Sequence, residues 1–433
     1  MRKTLHVATV AFVLALQSQA AFAATPNSTP LTLDSAISLA LRDNLSYRSA
    51  RIGIEQAVAM LRQARAPEMP AVQVQDTYQY VNPVAKLTTP FGSIPFSTTS
   101  ATNVPLAALQ YTLFDGGITA ARVSQAVAGI AIAEGNAHEA RATTISAVSE
   151  SYFGLLAAIR MSEVADRAVT IAQEHVKQAH AMLANGQVPR ADLLRAQAEL
   201  ADQNVHALTA HAAVRMGQLH LDLVLHEPFA TRYMPTDHLA LATPTFHLES
   251  LLATAHANRG EYVAAQAALL AAKRAVTVAA GGNLPNLKLM IADGNTQPAV
   301  VSGFHNQFSL GLTAVWTLFD GGYTSGQVAA ARAGVDRAQL GVEALSEGID
   351  LQVNGAYLTV QAASAQVEAA RQFARFADES LRLARVRYLG GVSTALEMQD
   401  AELRDRSARQ ALVQANVQLR TSVVALRFAA GLL

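Results

Sequence analysis

A run of six residues that occurs twice constrains this chain more than any other feature of its sequence. The run TLFDGG begins at Thr112 and begins again at Thr317, 205 positions later. The same offset relates Gly186 to Gly391. Further upstream, matching residues lie 215 positions apart, so the first half holds ten more residues (215 − 205) before its TLFDGG. This self-similarity predicts a tandem duplication of a unit of about two hundred residues.

The N-terminus has the three-part pattern of an export signal. Arg2 and Lys3 are positively charged, an apolar stretch follows, and Ala21-Phe22-Ala23 forms a small-x-small cleavage site. The junction between the two halves is rich in proline. The sequence therefore predicts a signal peptide at 1–23, a first repeat at 24–228, a linker at 229–246 and a second repeat at 247–433.

Long helices are predicted to fill most of both repeats. No proline occurs from Ile118 to Ala184, and small or apolar residues recur at intervals of three and four, which predicts a helix about 100 Å long. In each repeat this long helix is expected to pack antiparallel against two shorter helices stacked end to end. The shorter helices are predicted over 33–66, 189–226 and 248–280, and after the second long helix at 323–388 a last helix runs to 431.

The second long helix contains a heptad seam between Val360 and Tyr388. Its members alternate steps of three and four and are mainly alanine, which allows helix axes to approach closely. A soluble antiparallel coiled coil would have the same seam, so the seam alone leaves that alternative open.

Each repeat also contains a predicted β-hairpin, at about 71–114 in the first and about 286–319 in the second. Apolar and polar residues alternate along these strands, with Asp76 among the exceptions. No stretch after the leader is predicted to reach the roughly 20 apolar residues of a membrane-spanning helix. A membrane would therefore have to be crossed by strands. Four strands cannot close a barrel, but three chains would supply twelve. A soluble β-sandwich is the alternative.

Together these features resemble the TolC-type outer membrane efflux protein family. The resemblance rests on the duplicated unit, on TLFDGG directly after the second strand of each hairpin, and on the motif Arg387-Tyr388-x-x-Gly391-x-Ser393-x-x-x-Glu397-x-x-Asp400-Ala401. It covers essentially the whole mature chain. It implies a mixed α/β membrane protein in which three chains form a twelve-stranded transmembrane β-barrel that continues into a long α-helical coiled-coil barrel.

The resemblance also implies a function and a set of partners. The homotrimer would sit in outer membrane lipid and extend into the periplasm, as the exit duct of a tripartite efflux pump or a type I secretion system. Its partners would be a periplasmic adaptor (membrane fusion) protein and an inner-membrane pump of the ABC or RND type. The duct would be a passive conduit, gated at its periplasmic helical tips. A soluble periplasmic coiled-coil scaffold without a pore is the alternative.

Site residues are assigned by position within the resemblance. Tyr388 matches a residue that helps to hold the gate shut, although packing in the heptad seam explains an aromatic residue there equally well. Glu397 and Asp400 match acidic rings that face the constriction, and Asp192 is the first-repeat counterpart of Glu397. The tips that would contact the adaptor are Asn185, Gly186, Gln187, Val188 and Pro189 in the first repeat and Gly390, Gly391, Val392, Ser393 and Thr394 in the second.

Helix geometry also suggests a role for the two acidic residues of the second tip, independently of the family resemblance. Glu397 and Asp400 are three positions apart and therefore share one helix face. Threefold symmetry would gather their carboxylates near one axis, which would raise both the cation affinity of the ring and the pKa values of the carboxyl groups. A solvated acidic face is the plain alternative.

The two Asp-Gly-Gly triplets are predicted to be strand-to-helix turns. Glycine allows positive φ, and an aspartate near a helix N-terminus can accept hydrogen bonds from free backbone N–H groups. A phosphate-binding loop is excluded because no Lys-Ser or Lys-Thr follows. The turns are Asp115-Gly116-Gly117 and Asp320-Gly321-Gly322.

No enzymatic, cofactor or metal chemistry is predicted. The chain has 33 basic and 33 acidic residues, so it lacks the basic footprint of a nucleic-acid-binding protein. His175 and His180 are five apart, as are His206 and His211, which puts the members of each pair on different helix faces, unlike a zinc-binding i,i+4 pair. No nucleophile motif is present. Solvated helix histidines explain these residues better than a metal site.

Overall fold

The computed structural model describes residues 29–80, 86–95, 101–229, 232–240, 245–296, 305–390 and 392–433. The predicted signal peptide and Gly391 lie outside the described residues, as do parts of the predicted linker and of both hairpin loops. The described chain is mostly helical with some strands. It divides into two compact units. The first unit comprises the residues up to Arg48, Ala140–Ala255 and Asp350–Leu433, and the second comprises Ser49–Glu139 and His256–Ile349.

Long helices account for most of the described structure. The two longest have 67 residues each and begin at Ile118 and at Tyr323, 205 positions apart. The helices that follow them, at Arg190 and at Ala395, keep the same offset. The helix bounds are α1 Leu33–Asp43, α2 Leu45–Arg65, α3 Ile118–Ala184, α4 Arg190–Leu225, α5 Leu248–Asn258, α6 Gly260–Ala280, α7 Tyr323–Leu389 and α8 Ala395–Ala429.

The first predicted helix of each repeat is in fact two helices. Asn44 separates α1 from α2, with an extended backbone (ψ 127°). Its side-chain oxygen accepts hydrogen bonds from the backbone N–H groups of Ser46 (3.0 Å) and Tyr47 (3.2 Å). An asparagine side chain that caps the next helix in this way competes with helix continuation, which explains why the prediction of one helix is wrong. Arg259, also extended, separates α5 from α6.

One four-stranded antiparallel sheet lies in the second unit. Its strands are β2 Ala71–Tyr80, β5 Ala101–Phe114, β7 Asn286–Thr296 and β8 His305–Val315. They occur in the order β2-β5-β7-β8, so β5 of the first predicted repeat pairs with β7 of the second. In the described residues β2 and β8 each have a neighbour on one side only, and the sheet of one chain does not close into a barrel. The last strand ends before the predicted 319.

The register of this sheet puts apolar residues in rows on one face. Val72 is opposite Leu109, Leu109 is opposite Ile291, and Ile291 is opposite Leu310. The two outer members of this row are 70% and 65% exposed. The opposite face carries mainly polar and small side chains, as the alternation predicts. The apolar face therefore has no covering layer in the described chain.

Two small sheets were not predicted from the sequence. Lys86–Thr89 (β3) pairs with Gly92–Pro95 (β4) inside the segment predicted to be a loop. Thr29–Leu31 (β1) pairs in parallel with Tyr233–Pro235 (β6), which lies within the predicted linker. Three- and four-residue strands are too short to show an alternating pattern, so the sequence has no signal for them.

The heptad seam of α7 is confirmed by burial. Val360, Ala363 and Val367 are 2–4% exposed, and the alanines that continue the seam at Ala377 and Ala384 are 5% and 7% exposed. Alanine at these positions leaves room for the backbone of the facing helix.

Among the described residues, two helical segments are long and apolar enough to cross a membrane by length and composition alone, whereas the sequence predicted none. Ile118–Ala184 contains a window of mean hydropathy 1.2 that is 50% buried within the chain. Gly260–Asn283 contains a window of mean hydropathy 1.3 that is 6% buried. Frequent alanine raises the mean hydropathy of both helices without any run of large apolar side chains.

Two glycines allow two helices of the second unit to touch backbone to backbone. A Cβ atom on Gly260 would lie 2.2 Å from the carbonyl oxygen of Gly135, and a Cβ on Gly135 would lie 2.4 Å from that of Gly260. No other residue type fits at either position without moving one helix, so this crossing of α3 and α6 depends on both glycines.

Candidate functional site at the helix tips

The tip consists of the ends of α3 and α7, the starts of α4 and α8, and the loops between them. In the first loop, Gly186 has φ 73°. There the Gln187 N–H donates to the carbonyl of Met182 (2.9 Å), and in the second loop the Val392 N–H donates to that of Arg387 (3.0 Å). Both long helices thus end with a backbone N–H reaching back five residues, the pattern of a glycine C-cap. Gly391 lies outside the described residues.

The two loops differ in how the next helix begins. Thr394 caps α8, and its hydroxyl oxygen accepts a hydrogen bond from the Glu397 N–H (3.3 Å). Pro189 occupies the equivalent position before α4 and makes no side-chain cap. A threonine cap stabilises a helix start by about 1 kcal/mol, so the second loop is the better anchored of the two.

Glu397 is held by its own chain on both carboxylate oxygens. The Arg387 Nη1 donates to Oε1 (2.7 Å), and the Ser393 hydroxyl donates to Oε2 (2.8 Å). The Glu397 and Arg387 side chains are 44% and 56% exposed. Glu397 therefore ties the last turn of α7 to the first turn of α8.

The other two predicted acidic residues also have arginine partners. Asp400 pairs with Arg404 at 2.8 Å, one turn further along α8. Asp192 pairs with Arg195 at 3.5 Å on α4. Each predicted gate carboxylate is therefore matched by a positive charge of the same chain, a feature that the sequence analysis did not include.

Tyr388 lies in the interior of the tip rather than in solvent. It packs, half-buried, against a small cluster formed by Ala384, Met398 and Ala401. Its hydroxyl is 3.9 Å from the sulfur of Met182 on α3. The observed contacts are those of a packing residue that joins α7 to α3 and α8.

The two predicted strand-to-helix turns have the same geometry. Asp115 accepts hydrogen bonds from the N–H groups of Gly117 (3.1 Å) and Thr119 (2.7 Å), and Asp320 accepts those of the equivalent residues at 3.0 and 2.8 Å. Both glycines of each turn have positive φ, between 68° and 90°. The turns are structural and lie in the second unit, so they are not part of the tip.

A second polar centre in the first unit was missed by the sequence analysis. The buried Tyr152 hydroxyl lies within hydrogen-bonding distance of Asp237 Oδ2 and of the Leu31 carbonyl oxygen, and Asp237 also accepts from the Leu33 N–H (2.9 Å). Arg420 donates to three consecutive backbone carbonyls at 238, 239 and 240 (2.7–3.1 Å). We call this group the clasp. It fastens the segment that follows α4, around Asp237, to α1, α3 and α8.

One carboxyl group near the clasp lacks hydrogen-bond partners. Asp222, near the end of α4, is fully buried, and neither carboxylate oxygen has a hydrogen-bond partner. Burial raises its pKa to about 6, with nearby Glu227 adding to the rise and Arg215 opposing it. A buried carboxyl group with this environment is protonated in mildly acidic solution.

A family model matches most of the chain. The model of the outer membrane efflux protein family matches residues 36–225 and 251–432. A comparison with curated protein sequences finds no match.

Several solved structures have a similar fold. A membrane protein from Pseudomonas aeruginosa is 21% identical, with a TM-score of 0.77, over 92% of this chain and 93% of that one. The outer membrane protein VceC of Vibrio cholerae is 21% identical, with a TM-score of 0.76, over 92% and 96%. The CmeC outer membrane channel of Campylobacter jejuni is 19% identical, with a TM-score of 0.77, over 92% and 85%.

At these identities the structural likeness establishes the fold, and the family model establishes the family. The two matched stretches cover well over half of the chain, and the predicted resemblance is confirmed. The chain belongs to the outer membrane efflux protein family, whose members are transport conduits of the outer membrane and not enzymes.

Proposed function

We propose that three copies of this chain form the exit duct of a tripartite efflux pump or type I secretion system, gated at the helix tips. Members of the family are trimeric outer membrane channels that work with adaptor and pump partners. The partners proposed here are a periplasmic adaptor and an inner-membrane pump of the ABC or RND type. The mature chain would be a tandem repeat that follows removal of residues 1–23, with repeats at 24–228 and 247–433.

The uncovered faces of the chain are the observation that carries this proposal. The sheet has an exposed apolar face and two strand edges without a second neighbour in the described residues. Such a sheet is stable in lipid only when its edges are paired, and copies of the same chain can pair them. Three chains with four strands each would supply the twelve strands expected from the family resemblance.

Exposed large apolar side chains on two helices of the first unit fit assembly from copies of the chain. On α7, Leu351, Leu358 and Phe376 are 75%, 62% and 73% exposed, and their spacing is close to whole helical turns, so they share one face. On α4, Leu208 and Leu223 are 72% and 62% exposed. Contacts between copies arranged in a ring would remove these side chains from water.

The channel proposal is tested by single-channel current in a planar bilayer, with the oligomeric mass measured on the same detergent-purified sample. Discrete conductance from a trimer is expected, with low conductance at rest because the tips are closed. A monomer that needs no detergent and carries no current would instead favour the soluble periplasmic scaffold.

The gate assignment needs a separate test. The double variant Glu397→Gln with Asp400→Asn should reduce cation preference and block by multivalent cations. The expected change in cation preference is smaller than it would be for carboxylates without partners, because Arg387 and Arg404 balance part of the negative charge. Unchanged selectivity in a conducting double variant would remove the acidic-ring assignment. The matched control is Glu379→Gln, an exposed ion-paired carboxylate on α7 away from the tip loops.

A further inference from the structure

A cavity of about 270 Å³ lies among the four helices behind the tip loops. Its lining residues come from α3, α4, α7 and α8, and all of them belong to the first unit. No residue of the two tip loops lines it, and Asp400 is the predicted gate residue that reaches it. Sites for drug-sized ligands have volumes of about 300–1,000 Å³, so this cavity suits a smaller molecule.

One wall of the cavity is apolar. Val164, Ala168 and Ile171 line it from α3, and their spacing of four and three residues puts them on one helix face. Leu381 of α7 and Leu403 of α8 extend the same wall. A wall of this kind favours a ligand with an apolar body, because binding removes apolar surface from water on both sides.

The polar side of the cavity includes a buried carboxylate with an unused acceptor. Asp405 of α8 lines the cavity, and its side chain is only 6% exposed. Its Oδ2 accepts a hydrogen bond from Arg409 Nε (2.8 Å). Its Oδ1 has no hydrogen-bond partner among the described residues. A buried acceptor without a donor is unfavourable, so a ligand that supplies an N–H group would remove that cost.

The arginine beside Asp405 does not neutralise its surroundings. Arg409 also donates a hydrogen bond to Asp378 on α7, so two carboxylates share one guanidinium. The three groups together have one unbalanced negative charge. Because Asp405 and its arginine are largely shielded from solvent, salt screens this charge less than it would screen a surface charge.

The lining as a whole has the same sign of charge. Its acidic residues are Glu199, Asp400, Glu402 and Asp405, and its basic residues are Arg167, Arg406 and Arg409. With the imidazole of His175 counted as neutral, the sum is −1 (3 − 4). His175 Nε2 lies 3.0 Å from Glu402 Oε1, so this carboxylate already has a partner, unlike Asp405 Oδ1. The cavity therefore favours a cation over an anion.

A larger neighbouring cavity, of about 660 Å³, has the opposite balance. Its acidic residues are Glu174 and Glu402, and its basic residues are Arg167, Lys177 and Arg385. Their sum is +1 (3 − 2), and Asp405 does not line this cavity. An anion would prefer the larger cavity and a cation the smaller one, so the charge of a bound ligand distinguishes the two.

The donor set suits an organic cation rather than a metal ion. Among the described residues, no group of three or more histidine, aspartate or glutamate side chains is arranged to hold a metal ion. Metal ions in proteins are bound by several such ligands at once. An organic cation needs only an acceptor for its N–H groups and an apolar surface for its body, and the cavity offers both.

We propose that this cavity binds a small organic cation whose N–H groups donate to Asp405 Oδ1 and whose apolar body lies against the wall formed by α3, α7 and α8. A charged donor makes a stronger hydrogen bond to a carboxylate than a neutral donor does. The site lies within one chain and does not include Glu397. The proposal therefore goes beyond the channel function and does not depend on gating at the tip.

Benzamidine is a suitable probe, because it joins a cationic amidinium to a phenyl ring. Isothermal titration calorimetry on the detergent-purified full chain at pH 8.0 measures its Kd. Benzamide has a similar shape with a neutral head, and benzoate has an anionic head. Benzamidine should bind at least about tenfold more tightly than either compound.

Two variants locate the bound probe. Asp405→Asn removes the charge and should raise the Kd for benzamidine about tenfold or more. Ala168→Leu fills part of the cavity, leaves the Asp405–Arg409 pair in place and should raise the Kd by a similar factor. The matched control is Glu379→Gln, an exposed ion-paired carboxylate of α7 that does not line the cavity, and its Kd should stay within about twofold of the parent value. Circular dichroism checks that each variant is folded, and one detergent is used throughout, so partition of the probe into micelles is the same for all variants.

The outcomes separate this site from the channel. Preference for benzamidine that is lost in Asp405→Asn and in Ala168→Leu would support the site even if the protein carried no current, which would count only against the channel. If Asp405→Asn did not fold, loss of binding in Ala168→Leu would decide. The same Kd in the parent and in both variants would mean that the probe binds elsewhere and would overturn the proposal. Tighter binding of benzoate, or no measurable binding of benzamidine, would also overturn it.

Discussion

The clasp and the tip are both in the first unit, yet they are held together by different kinds of contact. Tyr152 in the clasp belongs to a cluster with large, fully buried side chains such as Leu155 and Leu221. The tip cluster contains Ala384, Met398 and Ala401, and its remaining contacts are mostly ion pairs with exposed side chains.

The difference has an energetic consequence. Burial of large apolar groups contributes about 25 cal/mol per Å², whereas exposed ion pairs typically contribute about 0–1 kcal/mol each. The clasp is therefore expected to remain intact under conditions in which the tip separates. The proposed opening of the tip, without unfolding of the rest of the first unit, would require the clasp to be more stable than the tip.

The largest expected effect is the loss of the clasp tyrosine. Tyr152→Ala removes a fully buried ring and its hydrogen bonds, and should lower the free energy of unfolding by about 3–5 kcal/mol. Tyr388→Ala at the half-buried tip site should cost about 1–2 kcal/mol. Denaturant unfolding followed by circular dichroism, at fixed protein concentration, measures both. Equal losses of unfolding free energy in the two variants would contradict the proposal that the clasp is more stable than the tip.

Arg420 provides the next largest effect. Arg420→Met removes the charged donor shared by three backbone carbonyls, of which one belongs to the buried Leu239, and removes a guanidinium 5.5 Å from the centre of the Phe153 ring. The expected loss is about 2 kcal/mol in the same unfolding assay. Arg427→Met, at an exposed position of the same helix, is the control and should change stability by less than about 0.5 kcal/mol. A comparable loss in the control would mean that the carbonyl contacts do not matter.

The buried Asp222 should make the stability of the first unit depend on pH. Its folded pKa of about 6 lies above its ordinary value of 3.8, because burial disfavours the charged form. The stability associated with the protonated Asp222 side chain is therefore fully present below about pH 4. It is lost as the pH rises through 6. Asp222→Asn should be about 1–2 kcal/mol more stable than the parent at pH 8 and similar to it at pH 4. Thermal unfolding at both pH values measures this, and a variant less stable at pH 8 would contradict the assignment.

The smallest effect on stability is expected at the tip surface. Arg387→Gln removes an exposed ion pair, and should change the free energy of unfolding by less than about 1 kcal/mol. It should nevertheless increase cation preference in bilayer recordings, opposite to the effect of Glu397→Gln with Asp400→Asn. Arg382→Gln, in an exposed ion pair further along α7, is the control and should leave selectivity unchanged. A large stability loss in Arg387→Gln would mean that the tip is not the weaker region.

Much of the fold was predicted from local patterns in the sequence. The long helix at 118–184 agrees with the observed bounds, because proline-free segments with regular apolar spacing and clear end signals specify a helix locally. The seam of α7 was predicted for the same reason and is buried as expected. The break at Asn44 was missed because asparagine is tolerated in helices, and only its cap on the next two residues reveals the turn.

The candidate site was predicted less completely. The positions of Glu397 and Asp400 follow from the motif, but their partners Arg387 and Arg404 were not anticipated as partners. The i,i+4 spacing of Asp400 and Arg404 is a usable signal for one pair. The approach of Arg387 across the loop depends on how the two helices meet.

By itself, the sequence predicted a tandem duplication, the long helices, the four strands of the main sheet and the family, because these depend on periodicity and motifs within short stretches of chain. Only the tertiary structure decided which distant side chains meet. His175 and Glu402 are 227 positions apart (402 − 175), and Tyr152 and Asp237 are 85 apart. Such contacts are set by helix packing and by a three-residue strand at the linker, for which no local pattern exists. The pairing of charges at the tip and the stability of the clasp therefore depend on the tertiary structure.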